Sequence, residues 1–196
     1  MNEILKRYFE DGTYDDANTL IDTLLYYSDE DIVENVVSTE EKAIEPYSIP
    51  QYSSYEDGTV NMIHYLRCIG DFGPSFVEIG KHYLGSDRND VAYRKYGENH
   101  AKLAEVLGLA YIVNDGSKRV HLTEIGRELE KRDIEVQKSC IKKLAGQIPI
   151  VQKAIRDDFK SSKELESLMR NYLSESTVQR RRKNTWDLVC KLRGDE

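Results

Sequence analysis

A short hairpin inside an otherwise helical chain limits the folds open to this sequence more than any other feature. Leu109 to Val113 is apolar and short, Asn114, Asp115, Gly116 and Ser117 supply turn chemistry, and Val120 to Leu122 returns. Three helical segments precede it. Val60, Ile63, His64, Leu66 and Ile69 recur at helical spacing until Gly70, Gly73 and Pro74 force a turn. A second helix opens at Pro74 or Ser75 and carries Val77, Ile79 and Tyr83. After the polar loop Gly85 to Asn89, a third runs from about Tyr96 to Leu107 and stops at Gly108. Thr123 caps a further helix behind the hairpin, so the order is helix, helix, helix, strand, strand, helix.

The segments Tyr96-Gly97-Glu98-Asn99-His100-Ala101-Lys102-Leu103-Ala104, Leu107-Gly108-Leu109 and Leu122-Thr123-Glu124-Ile125-Gly126-Arg127 resemble the winged-helix DNA-recognition modules of type IIS restriction endonucleases and of stand-alone prokaryotic regulators. The resemblance runs from about residue 60 to the C-terminus and implies fold more firmly than activity. It makes the hairpin a wing. Arg94, Lys95, Asn99 and Lys102 become the exposed contacts of the third helix, and Lys118 and Arg119 those of the wing. His100 is expected at the edge of the core.

A second helical module follows. Cys140, Ile141, Leu144, Ala145 and Ile148 form one stripe, Pro149 bends or restarts the chain, and Ser161 with Glu164 boxes the start of a helix bearing Leu165, Leu168, Met169 and Tyr172. After a turn comes the segment most suggestive of function. Ser176 as N-cap with Gln179 makes a capping box, and the helix places Val178, Thr185, Val189 and Leu192 on one stripe. Ser176, Thr177, Arg180, Lys183 and Asn184 lie opposite, with the donor geometry that suits base edges and phosphates. Arg181 and Arg182 flank the stripe, better placed for phosphates or for carboxylates of the chain itself. The run Arg180 to Lys183 falls in the first turns, where the helix dipole disfavours cations, so helix stability alone does not account for it. Trp186 reads as a core residue of this module.

Charge separates the front of the chain from the rest. Residues 1–60 hold 15 acidic and 3 basic side chains, residues 61–196 hold 20 and 25, and the total is −7. Leu20, Ile21, Leu24, Leu25 and Ile32, Val33, Val36, Val37 mark two short helices, with Ser28 and Asp31 as a capping box between them. Pro46, Pro50 and their serine and tyrosine neighbours form an extended connector. The acidic helices are read as a docking or oligomerisation element, a tethered cover competing for the basic surface, or a layer packed on the first module. Cys68, Cys140 and Cys190 are odd in number and widely spaced, as free thiols of a reducing compartment are. The N-terminus lacks an apolar signal core and no stretch approaches a membrane span, so a cytoplasmic protein is expected.

Catalytic chemistry is not expected. Glu40 with Lys42 and Asp158 with Lys160 have the spacing of a metal-dependent nuclease fragment but no apolar strand around them, the four histidines are dispersed, and no phosphate-binding loop occurs. The sequence therefore reads as a mainly α protein with a small β-hairpin wing, built of an acidic segment (1–57), a winged-helix module (58–135) and a helix-turn-helix module (136–196). The expected function is sequence-specific binding of double-stranded DNA, as a transcriptional regulator or the recognition part of a restriction system, without cofactor or metal. A separate nuclease, methyltransferase or ATPase subunit and a second copy of the chain are candidate partners. The competing readings are a small magnesium-dependent nuclease and a protein-interaction module of the same fold.

Overall fold

The computed structural model describes residues 2–114 and 116–195, so Asp115 of the expected turn lies outside the described residues. The chain forms two compact units, Met1–Gln51 with Ser139–Glu196, and Tyr52–Lys138. The expected division 1–57, 58–135, 136–196 is corrected at its ends: the acidic front is folded with the C-terminal segment and is not a separate part. Three helices open it. Helix α1 (Glu3–Asp11) was not legible in the sequence; Asn2 caps it through the Ile4 and Leu5 N–H groups, Gly12 ends it at φ 80°, and Leu5, Tyr8 and Phe9 are buried. Helix α2 (Ala17–Tyr26) is capped by Asp16, and α3 (Asp29–Val37) by the expected Ser28–Asp31 box. The connector beyond it makes a 3-10 turn at Pro46–Ser48, and Ile44, Ser48 and Ile49 are buried. It is packed chain, which removes the free tether that a competing acidic cover needs.

The second unit holds α4 (Glu56–Ile69), α5 (Phe76–Leu84), α6 (Asp90–Val106), strands β1 (Ala110–Asn114) and β2 (Lys118–Leu122), and α7 (Glu124–Glu130). Ser75 and Glu78 box the start of α5. Helix α6 begins at Asp90, earlier than expected, because Asn89 accepts from the Ala92 N–H and sets a start that the polar residues before Tyr96 conceal. Helices α5 and α6 cross at backbone contact. A Cβ on Gly97 would lie 1.9 Å from the Phe76 carbonyl oxygen, and one on Gly80 would lie 2.0 Å from that of Tyr93. Gly126 serves α7 in the same way, since its Cβ would meet the Leu109 carbonyl at 2.1 Å. Thr123 caps α7 through the Gly126 N–H and donates its hydroxyl to the Gly108 carbonyl at 2.6 Å. That double use gives the Leu-Thr-x-x-Gly segment a physical reason.

The hairpin is antiparallel, with Ala110 opposite Leu122 and Asn114 opposite Lys118. Ala110, Val120 and Leu122 turn to the core, so Tyr111, Val113, Arg119 and His121 share the outer face. A bridge between Ser75 and Arg119 and a bond from the Val120 N–H to the Pro74 carbonyl tie β2 to the entry of α5.

Helix α8 (Ile134–Leu144) carries the chain back into the first unit, where a 3-10 turn (Ala145–Gln147), α9 (Pro149–Arg156), α10 (Ser162–Met169) and α11 (Glu175–Arg193) follow. Pro149 does restart the helix, and Ser161 with Glu164 does box α10. None of α1, α2 and α3 carries a basic residue in its last turn. Donors from the C-terminal segment supply that function. Gln147 and Gln152 donate to the Tyr8 and Phe9 carbonyls in the last turn of α1, the second at 2.8 Å. Lys143 donates to Leu24 and Tyr27 behind α2 at 2.7 and 2.5 Å, and Arg156 to Thr39 and Glu40 behind α3 at 2.7 and 3.2 Å. Lys142 pairs with Asp29 at 2.8 Å. No helix among the described residues is long and apolar enough to cross a membrane.

The glycine crossing yields the first prediction. Gly97→Ala should destabilise the unit of residues 52–138 by about 3 kcal/mol or more, because the methyl collides with backbone that cannot rotate away. Thermal melting of the full chain checks it, and an unchanged melting curve would contradict the close approach of α5 and α6.

Candidate nucleic-acid interface

Helix α11 begins at Glu175 with Ser174 as N-cap, so the expected Ser176–Gln179 box does not form. The reason is Glu175. Arg170 bonds its carboxylate at 2.9 Å and Gln179 donates to it at 2.8 Å, which holds Glu175 down to about 2 and fixes the first turn two residues early. Val178, Thr185, Leu188, Val189 and Leu192 are buried, as the stripe requires. Trp186, expected in the core, remains partly exposed at its margin.

The basic run divides by helical phase. Arg181 donates to the Pro46 and Ile49 carbonyls at 3.2 and 2.5 Å, which binds the connector to α11. Arg182 pairs with the buried Glu166, as Arg170 also does, and holds α10 against α11. Both were expected at phosphates or at carboxylates of the chain itself; Arg182 meets such a carboxylate and Arg181 meets carbonyls, so both hold the fold together. On the opposite side, Ser176, Arg180 and Lys183 are exposed, and Thr177 and Asn184 are partly exposed. Arg180 lies back along the helix, donating to the Ser176 carbonyl at 3.2 Å and to the Thr177 hydroxyl at 3.1 Å. That contact is local and exposed. The side chain can exchange it for a phosphate or a base edge at little cost.

In the unit of residues 52–138, the structure brings two of the expected contacts together. Arg94 from α6 and Lys118 from the hairpin line one hollow of about 390 Å³ with Ser75, Phe76, Val77, Asn114, Gly116 and Ser117. The hollow lies at the amino end of α5, where the first-turn N–H groups have no acceptor within the helix. Lys95 is exposed one residue beyond Arg94, and Asn99 is partly exposed on the same helix. Lys102 pairs with Glu98 at 2.8 Å, so its charge is partly spent within α6. The wing was expected to project Lys118 and Arg119 together. Strand pleating instead turns them to opposite faces: Lys118 lies 5.8 Å from the Phe76 ring centroid, while Arg119 donates to the Gly73 carbonyl at 3.0 Å and approaches Glu78 at 3.4 Å. Arg119 therefore offsets the Glu78 carboxylate at this helix end. Hydrogen bonds from Ser75 hold that carboxylate, Glu78, below the usual range, with Arg119 adding to the effect.

The two nuclease-like fragments are differently placed. Lys42 donates to Gln147 at 2.7 Å, with burial lowering its pKa to about 8, and Lys160 pairs with Asp158 at 2.5 Å. Among the described residues no three His, Cys, Asp or Glu side chains gather in a cation-binding cluster. Sequence reasoning missed one arrangement on α4: the Cys68 thiol lies 3.7 Å from His64 Nε2, whose Nδ1 lies 3.1 Å from Glu130. An i, i+4 pair is visible in sequence; its carboxylate, 62 positions beyond Cys68, is not. Cys68 is exposed, while Cys140 is buried and Cys190 is pushed up by burial, so the three free thiols are chemically unequal.

His100 is a core residue, 2% exposed, stacked on Tyr83 with ring centroids 4.3 Å apart, and both of its ring nitrogens are buried without a partner. Burial lowers its pKa to about 4. The unfolded chain, with an ordinary imidazole, takes up a proton that the folded chain refuses, so stability present above about pH 6.5 is lost as pH falls toward 4, by about 3 kcal/mol in all. Melting temperatures from pH 7.5 to 4.5 should show this loss and His100→Phe should flatten it. An equal pH dependence in both proteins would contradict a neutral buried His100.

Compared with protein-family models, curated proteins and solved structures, the chain matches none.

Proposed function

We propose that the chain binds double-stranded DNA, with the unit of residues 52–138 acting as a winged-helix module. The observation that carries the reading is the hollow shared by Arg94 and Lys118. Two cations from different elements converge on the amino end of α5, where the helix dipole favours an anion. A backbone phosphate is a ligand that matches this charge. Lys95 extends the cationic edge and Asn99 adds a group able to bond a base, which suits α6 for a groove. The order of three helices, a hairpin and a fourth helix supports the same reading. Residues 52–138 hold 14 acidic and 12 basic side chains, so binding depends on where the cations lie and not on net charge.

The outer side of α11, with Ser176, Thr177, Arg180, Lys183 and Asn184, provides a second polar surface. Its inner side is committed to the core, which leaves this side for a partner. A transcriptional regulator or the recognition component of a restriction system would use such surfaces; its partner subunits belong to the same proposal.

The test is fluorescence anisotropy with a random-sequence duplex across a salt series. Arg94→Ala with Lys118→Ala should weaken binding to all sequences alike and reduce the salt slope by about 2, one for each lost phosphate contact. Both side chains are exposed, so folding should be unaffected. Unchanged affinity and slope in the folded double variant would reject the reading.

A further inference from the structure

We infer that the concavity between the carboxyl end of α4 and the outer face of the hairpin is a binding site for a small aromatic monocarboxylate. Its volume is about 320 Å³, and it is lined by Leu66, Arg67, Asp71, Tyr111, His121 and Arg127 among others. Size is the first argument. That volume lies at the lower end of small-molecule sites, about 300 to 1,000 Å³, which admits a single ring system.

Shape and charge narrow the class further. Tyr111 and His121 are cross-strand partners stacked with centroids 5.4 Å apart and an interplanar angle of 24°, which gives the site an aromatic side. A Cβ on Gly73 would lie 2.5 Å from His121 Cε1, so backbone presses directly on that imidazole and limits its movement. Tyr111 is nonetheless 46% exposed, and a stacked ring would cover it. Arg127 is anchored by one nitrogen to the Leu122 carbonyl at 2.8 Å, which aims the rest of a rigid five-donor fork. The second guanidinium, Arg67, is half exposed and holds Glu130 only loosely, at 3.8 Å. Asp71 is the carboxylate lining the wall and Glu130 answers Arg67, whereas Arg127 bonds a carbonyl and pairs with no carboxylate among the described residues, so one guanidinium charge remains for an anion. That balance matches a monocarboxylate and disfavours a phosphate dianion.

The test is isothermal titration calorimetry of the full chain with benzoate, salicylate and indole-3-acetate, and with benzamide and cyclohexanecarboxylate as controls for charge and flatness. At least one aromatic carboxylate should bind with Kd of about 1 mM or tighter, and both controls at least about tenfold more weakly. Tyr111→Ala and Arg67→Gln, exposed positions outside the core, should each weaken binding at least about tenfold with melting unchanged. Absence of saturable binding by all three carboxylates, equal binding of benzamide, or undiminished affinity in both variants would overturn the assignment. No DNA enters the experiment, so its failure is distinguishable from failure of the DNA-binding reading.

Discussion

The first unit depends on hydrogen bonds that one end of the chain donates to the helix ends of the other. Helices α1, α2 and α3 terminate with no basic residue of their own to meet their last carbonyls. Such ends are costly to bury unless donors arrive from elsewhere. Gln147 and Gln152, Lys143 and Arg156 arrive from α8, α9 and the turn between them, one set for each helix. Arg181 does the same for the connector. Charge follows this plan: residues 1–51 hold 13 acidic and 3 basic side chains, and residues 139–196 hold 8 and 13, so folding the two together offsets their opposite excesses.

This arrangement decides what the basic run of α11 can do. A helix buried along one stripe presents its four consecutive cations to different surroundings, because successive side chains are about 100° apart. Arg181 and Arg182 fall beside the stripe and meet carbonyls and a buried carboxylate. Arg180 and Lys183 fall on the solvent side. Half of a motif that reads as nucleic-acid binding is therefore used to hold the fold, and only the other half is open to a partner. The hairpin divides its pair in the same way, through a period of two.

Local features were legible in the sequence because their causes are local. The boxes at Ser28 and Ser161, the helix start at Ser75, the Thr123 cap, the Pro149 restart and the hairpin strands all depend on residues within a few positions of one another. The start of α11 was misplaced by two residues because Glu175 is fixed by Arg170, which lies outside the helix. Helix α1 was missed because its few buried residues, Leu5, Tyr8 and Phe9, lie among charges. The union of the chain ends was invisible for a different reason: it rests on bonds such as Gln152 to Phe9, 143 positions apart, which no periodicity reports. At the candidate interface, the exposure of Arg94, Lys95 and Lys118 was legible. The convergence of Arg94 and Lys118 on one hollow was not.

Urea unfolding followed by fluorescence of the single tryptophan, Trp186 on α11, tests the central claim that the two ends fold as one. Phe9 is fully buried, and its ring stands where a Cβ on Gly146 would approach to 2.9 Å. Phe9→Ala should lower the stability reported by Trp186 by about 3 to 5 kcal/mol, and Lys143→Met, which strips the carbonyls behind α2 of their donor, by about 2 kcal/mol. A Trp186 transition that stays in place in both variants would contradict the shared unit, because the N-terminal helices would then unfold without disturbing α11.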